Sequence, residues 1–179
     1  MKETKYVMSG GLAFTEEKDM KKLSNYAKKG WILEGFAPLG FILRKGEPQN
    51  IVYSLDYQKD ADEEYFSFFE VAMWTRVCSA GNEIHVFSAS EGTKPIYSDK
   101  ETIIEKYERE KRQMGKYSLP LLIVTVMSFL LRIISGYGWL PEIAGNISLF
   151  LGEVFLIILI FPGMPYIAYR FKLNKIRKW

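Results

Sequence analysis

Two apolar runs in the C-terminal third limit what this chain can become. The first, YSLPLLIVTVMSFLLRII, covers Tyr117–Ile134, and the second, ISLFLGEVFLIILIFPGMPYIAY, covers Ile147–Tyr169. A helix crossing a bilayer core needs roughly 20 residues at about 1.5 Å of rise each. Both runs meet that length with a short connection between them, which predicts a transmembrane hairpin. The chain then divides into a cytosolic α+β domain over 1–98 and a basic juxtamembrane helix over 99–116. The first span follows over 117–136, a short external loop over 137–145, the second span over 146–169 and a basic tail over 170–179.

Lys and Arg mark the cytoplasmic side of membrane spans. Arg109, Lys111, Arg112 and Lys116 precede the first run, and Arg170, Lys172, Lys175, Arg177 and Lys178 follow the second. The loop SGYGWLPEIAGN has neither residue, so both termini are expected inside a cell membrane that the chain crosses twice. The net charge of +3 sits in these flanks. The domain itself lacks the basic surplus that nucleic-acid binding would need, so no nucleic-acid partner is expected. The single cysteine, Cys78, can form no internal disulfide and supplies no CxxC site.

Two charges fall inside the spans, Arg132 and Glu153. Counted from the outer ends of the runs, they come within roughly 3–4 Å of each other in depth, which suggests an intramembrane ion pair. Gly115 and Pro120 argue for a joint between the juxtamembrane helix and the first span.

Ahead of the spans the pattern alternates between the two periods. Lys5–Phe14 reads as a strand, and Thr15 as the N-cap of a helix that presents Met20, Leu23, Tyr26 and Ala27 on one face. Trp31–Phe36, Gly40–Arg44 and Ile51–Asp56 read as three strands punctuated by turns at Pro38–Gly40 and Lys45–Pro48. A second helix starts at the acids Asp60–Glu64, Trp74–Cys78 and Glu83–Ser88 form a hairpin, and Ser98 or Asp99 caps a third helix. The fold class is α+β, a ferredoxin-like antiparallel sheet with its helices on one face, followed by the hairpin.

Little in the sequence carries reaction chemistry. His85 is the only histidine, and a zinc site needs three or four ligands. The acids Asp56, Asp60, Asp62, Glu63 and Glu64 lack the spacing of a calcium loop, and no phosphate-binding glycine motif occurs. No catalytic, cofactor-binding or metal-binding residue is assigned, no cofactor is expected, and the protein is not expected to be an enzyme. An antiparallel sheet can leave one face open. On such a face Tyr53, Asp56, Trp74 and His85 form the candidate binding surface.

Several segments together resemble a bacterial family. They are Lys29-Gly30-Trp31, Gly40-Phe41, Lys45-Gly46-Glu47-Pro48, Tyr53-Ser54-Leu55-Asp56-Tyr57, Phe69-Glu70, Trp74 and Pro95-Ile96-Tyr97-Ser98-Asp99. The resemblance is to the domain of unknown function DUF2812, over roughly residues 5–105. Where that family tends to have Gly-Trp after the second helix, this chain has Met73-Trp74. The resemblance implies frequent C-terminal membrane spans and a genomic position beside PadR-type repressors. It implies no catalytic residues.

Two function classes fit these readings. One is a membrane-anchored regulatory or sensory protein, open to assembly as a homo-oligomer, whose cytosolic domain binds a protein or small-molecule partner. The other is an accessory subunit of a larger, transporter-like membrane complex, with the hairpin as the interface and Gly152 and Gly163 as its small residues.

Overall fold

The computed structural model describes residues 3–178. The chain forms two compact units, Met1–Lys106 and Tyr107–Trp179. The boundary lies eight residues beyond the sequence-based limit at 98, because the first turns of the third helix belong with the α+β unit.

In the first unit the strands are β1 (Thr4–Met8), β2 (Trp31–Ala37), β3 (Gly40–Lys45), β4 (Ile51–Tyr57), β5 (Thr75–Ala80) and β6 (Ile84–Ser90). The helices are α1 (Leu12–Ala27), α2 (Glu63–Val71) and the start of α3 (Lys100–Gly136). The α+β class and the antiparallel pairing stand. In finer detail the strands divide between two three-stranded sheets, β1-β3-β2 and β4-β6-β5.

One core lies where α1 meets both sheets. Met20, Leu23 and Ala27 of α1 join Val7, Leu33, Phe41 and Leu43 of the first sheet, and Tyr53, Leu55, Tyr57 and Val86 of the second. The period of two then puts the intervening residues of β4 and β6 on the opposite face. There Phe87 and Ala89 meet Phe66 of α2 and Trp74 in a second core. The β4-β6-β5 sheet is therefore covered on both faces, by α1 on one and α2 on the other. The open face expected from the sequence is filled because α2 turns Tyr65, Phe66 and Phe69 onto it.

α1 begins a turn earlier than its apparent cap. Gly11 precedes it at φ 91°, and Thr15 sits inside the helix at a kink with non-helical angles. The Thr15 hydroxyl donates to the Gly11 carbonyl and to Asp19 Oδ2, so its capping chemistry is spent within the helix. Asp62 caps α2 by accepting from the Tyr65 amide, and Asp99 accepts from the Thr102 amide at the start of α3. That bond to Thr102 holds the Asp99 carboxyl below its ordinary range.

The second unit is built from the rest of α3 and from α4 (Glu142–Arg177). α3 continues through Gly115 and Pro120 with no break, and α4 runs through Pro162 and Pro165. The expected joint is absent, since a proline removes only one backbone bond from a long helix. Both helices are long and apolar enough to cross a membrane. They run antiparallel in close contact, which small residues permit. A Cβ on Gly145 would fall 2.4 Å from the Ser135 hydroxyl, and one on Gly152 would fall 3.3 Å from Ser128 and Phe129.

Candidate functional site

Buried polar groups are concentrated around β4. Asp56 is 2 % exposed and faces α2. Its Oδ2 accepts from the Tyr65 hydroxyl at 2.7 Å, and its Oδ1 accepts from the Tyr57 amide at 2.7 Å and from the Tyr97 hydroxyl. A buried carboxylate is costly unless several donors surround it, and three do so here.

On the other side of the same strand lies a buried ion pair. Lys106 Nζ donates to Glu16 Oε1 and to the Leu55 carbonyl, each at 2.5 Å. The Tyr57 hydroxyl donates to the second Glu16 oxygen at 3.3 Å. The ammonium also lies over the rings of Tyr97 and Tyr57, at 4.8 and 5.4 Å. Glu16 and Lys106 are both 5 % exposed, and ninety positions separate them in the chain.

These contacts close the free edge of β4. A sheet edge offers unpaired backbone groups to any strand that approaches. Here the Tyr53 amide donates to Ser24 Oγ, and Lys106 occupies the Leu55 carbonyl. A groove of about 470 Å³ runs along this edge between α1 and β4, with the Lys28–Glu91 ion pair at 2.7 Å beside it.

The four residues expected on an open binding face are all interior. Tyr53 is 6 % exposed, Asp56 2 %, Trp74 3 % and His85 0 %. Tyr53 points into the α1 core, where its hydroxyl accepts from the Leu33 amide and burial raises its pKa. Asp56, Trp74 and His85 face α2. Trp74 Nε1 donates to the Lys94 carbonyl and ties down the loop before α3. His85 Nε2 lies 2.9 Å from the Gln58 carbonyl, which can only accept, so Nε2 carries the proton. Nδ1 then accepts from Ser79 Oγ at 2.7 Å. The residue is a cross-strand brace with both ring nitrogens engaged. Cys78 is half-buried, and burial pushes its thiol up to about 11, away from the reactive thiolate.

Arg132 and Glu153 are not brought together: no ion pair links them among the described residues. Gly152 seats against Ser128 and Phe129, and Gly145 against Ser135 with the Arg132 guanidinium nearby. That register sets Arg132 level with the stretch between the two glycines. Glu153 lies about five residues, roughly 7 Å, further along. Gly152, considered as an interface residue for a partner, is used inside the hairpin.

Sequence reasoning missed Glu16, Tyr65, Tyr97 and Lys106. Glu16 and Lys106 look like surface residues locally, Tyr65 reads as one member of an apolar helix stripe, Tyr97 reads as loop, and no periodic signal reports a contact across ninety positions.

The segments that carry the family resemblance converge in space. Gly46 N donates to the Gly30 carbonyl at 2.8 Å, and Gln49 N to the Ala27 carbonyl at 3.0 Å. Lys45 Nζ lies 4.8 Å over the Trp31 ring. This stitch ties the end of α1 to the loop after β3, while Tyr97 reaches Asp56. No curated protein and no solved structure matches the chain. Residues 15–119 match the family described as protein of unknown function (DUF2812), and this chain belongs to that family.

Proposed function

We propose that this is a two-span membrane protein with both termini cytoplasmic, whose α+β unit regulates or senses by binding a protein partner with an acidic surface. One observation carries the reading. The polar groups around β4 are spent inside the unit, whereas α1 presents a hollow of about 380 Å³ lined by Lys18, Lys21, Lys22 and Lys29 with Asn25 and Tyr26. These four lysines are exposed and make no ion pair among the described residues. A cluster of one sign steers an oppositely charged partner and sets its orientation. The Lys/Arg flanks before the first apolar run and after the second, with none in the loop between, support the inside orientation.

The test uses the full chain in membranes. Cysteines placed singly in the 137–141 loop, in a Cys78→Ala background, should label with an impermeant maleimide from outside. Cysteines placed in the tail should not. The partner is sought by crosslinking before solubilisation, comparing wild type with Lys18→Glu/Lys21→Glu/Lys29→Glu. Loss of the captured protein on charge reversal is the expected result. If capture survives reversal and the captured protein is a membrane protein lost on changes in α4, the accessory-subunit reading replaces this one.

A further inference from the structure

The hairpin carries a second feature, unrelated to the lysine hollow. A groove of about 870 Å³ lies between α3 and α4, entirely within the second unit. Its volume falls in the range of roughly 300–1,000 Å³ typical of small-molecule sites. The two ends differ in chemistry. At one end stand Lys111, Arg112 and Lys116, and at the other the walls are Leu119, Leu122, Leu156 and Ile160. Positions 111, 115, 119 and 122 of α3 recur at helical spacing, so cations and leucines share one face.

Glu108, also at the polar end, pairs with Arg177. Lys111, Arg112 and Lys116 make no ion pair or side-chain hydrogen bond among the described residues. The polar end therefore has three uncompensated positive charges. Gly163 keeps the apolar part open: a Cβ there would meet only Leu159 of its own helix, at 3.7 Å. Across the groove Gly115 leaves room for the Tyr166 ring, 3.2 Å from where a Cβ would stand.

We propose that this groove binds one anionic phospholipid, its phosphate against Lys111, Arg112 and Lys116 and an acyl chain along the leucine walls. The inference rests on the reading that both apolar helices cross the membrane with their basic flanks at one surface. Charge and length both support it. From Lys116 to Leu122 is six residues, about 9 Å of helix rise, which takes a chain from the headgroup level well into the hydrocarbon. A soluble anion would use the cations and leave the apolar walls unoccupied. A neutral lipid would use the walls and leave the cations unanswered. Basic pockets between spans on the cytoplasmic side are the usual setting for anionic headgroups.

The experiment is native mass spectrometry of the delipidated full chain in detergent, titrated with phosphatidylglycerol or phosphatidylcholine of identical acyl chains. One phosphatidylglycerol should bind per chain, about tenfold more tightly than phosphatidylcholine. Lys111→Gln/Arg112→Gln/Lys116→Gln should abolish that preference. Gly163→Leu, which fills the slot without altering any charge, should weaken phosphatidylglycerol by about tenfold. A leucine is a better helix former than glycine, and an unchanged helical circular dichroism spectrum verifies folding. Equal binding of the two lipids overturns the proposal. So does a phosphatidylglycerol preference that survives Gly163→Leu, which would mean attraction to a basic surface with no groove. Competition by millimolar inorganic phosphate would reassign the site to a soluble anion. Reversed topology in the maleimide experiment would fail the orientation reading and leave these lipid measurements intact, so the two failures are separable.

Discussion

Lys106→Met should be among the most damaging single changes in the first unit. Glu16 is 5 % exposed and has two side-chain partners, Lys106 at 2.5 Å and the Tyr57 hydroxyl at 3.3 Å. Removing the ammonium leaves a buried carboxylate with one long hydrogen bond, and it also strands the Leu55 carbonyl. Breaking a buried pair from one side costs about 3–5 kcal/mol. For a domain of this size 1 kcal/mol corresponds to roughly 4–8 °C, so the melting temperature should fall by at least about 12 °C. Glu16→Leu/Lys106→Met removes both charges, and such replacements are often near neutral. The double variant should recover most of the loss, with a coupling above about 2 kcal/mol in the cycle. The assay is thermal unfolding of the full chain in detergent, followed by the fluorescence of Trp31 and Trp74, both in the first unit. A drop below about 4 °C for Lys106→Met, or additive single effects, would refute the claim that this pair is desolvated and coupled.

Two further outcomes follow from the same unit. Gly30 has φ 77° and its Cβ would lie 2.6 Å from the Gly46 carbonyl, so Gly30→Ala should cost at least about 2 kcal/mol; Gly46→Ala, whose Cβ meets only Ile32 at 3.5 Å, should cost less than about 1 kcal/mol in the same melt. Burial raises the Cys78 thiol from 9.0 to about 11, so the folded state retains this proton where the unfolded chain releases it. The corresponding stability is complete below about pH 9 and is lost as pH rises through 11. Cys78→Ala should therefore flatten the alkaline fall of the melting temperature, and the wild-type thiol should resist Ellman's reagent at pH 8.

The parts of this architecture that were legible beforehand are those written in local pattern. The two apolar runs are α3 and α4, the period of two marks β4 and β6, and Asp62 and Asp99 cap helices as short acids do. What escaped depends on tertiary placement. Asp56 is on the α2 side of β4 only because the strand alternates, and hydroxyls from two distant segments meet it there. The depth difference between Arg132 and Glu153, counted from run lengths, is too small by about 4 Å because the helices lock where Gly145 and Gly152 allow close approach. The sheet divides between β2 and β5, which lie side by side without a hydrogen-bonded ladder, while the outer edge of β4 is closed by Ser24 and Lys106.

Met73 is the case in which sequence and backbone disagree most usefully. The resemblance implies a glycine before the tryptophan, and the geometry here is one that glycine would suit. Trp74 N donates to the Phe69 carbonyl and Met73 N to the Glu70 carbonyl, the paired bonds of a Schellman ending on α2. That ending puts its penultimate residue in the left-handed region, and Met73 sits at φ 65°. A side chain there costs about 1 kcal/mol relative to glycine. Met73 is 75 % exposed, so its side chain gains little packing in return. Met73→Gly should therefore stabilise the first unit by about 0.5–1 kcal/mol, a rise of a few degrees in the melt. Met73→Val, stiff at Cβ, should lower it. Destabilisation by Met73→Gly would refute the reasoning, since it would mean that packing of the exposed methionine outweighs the strain of its left-handed backbone.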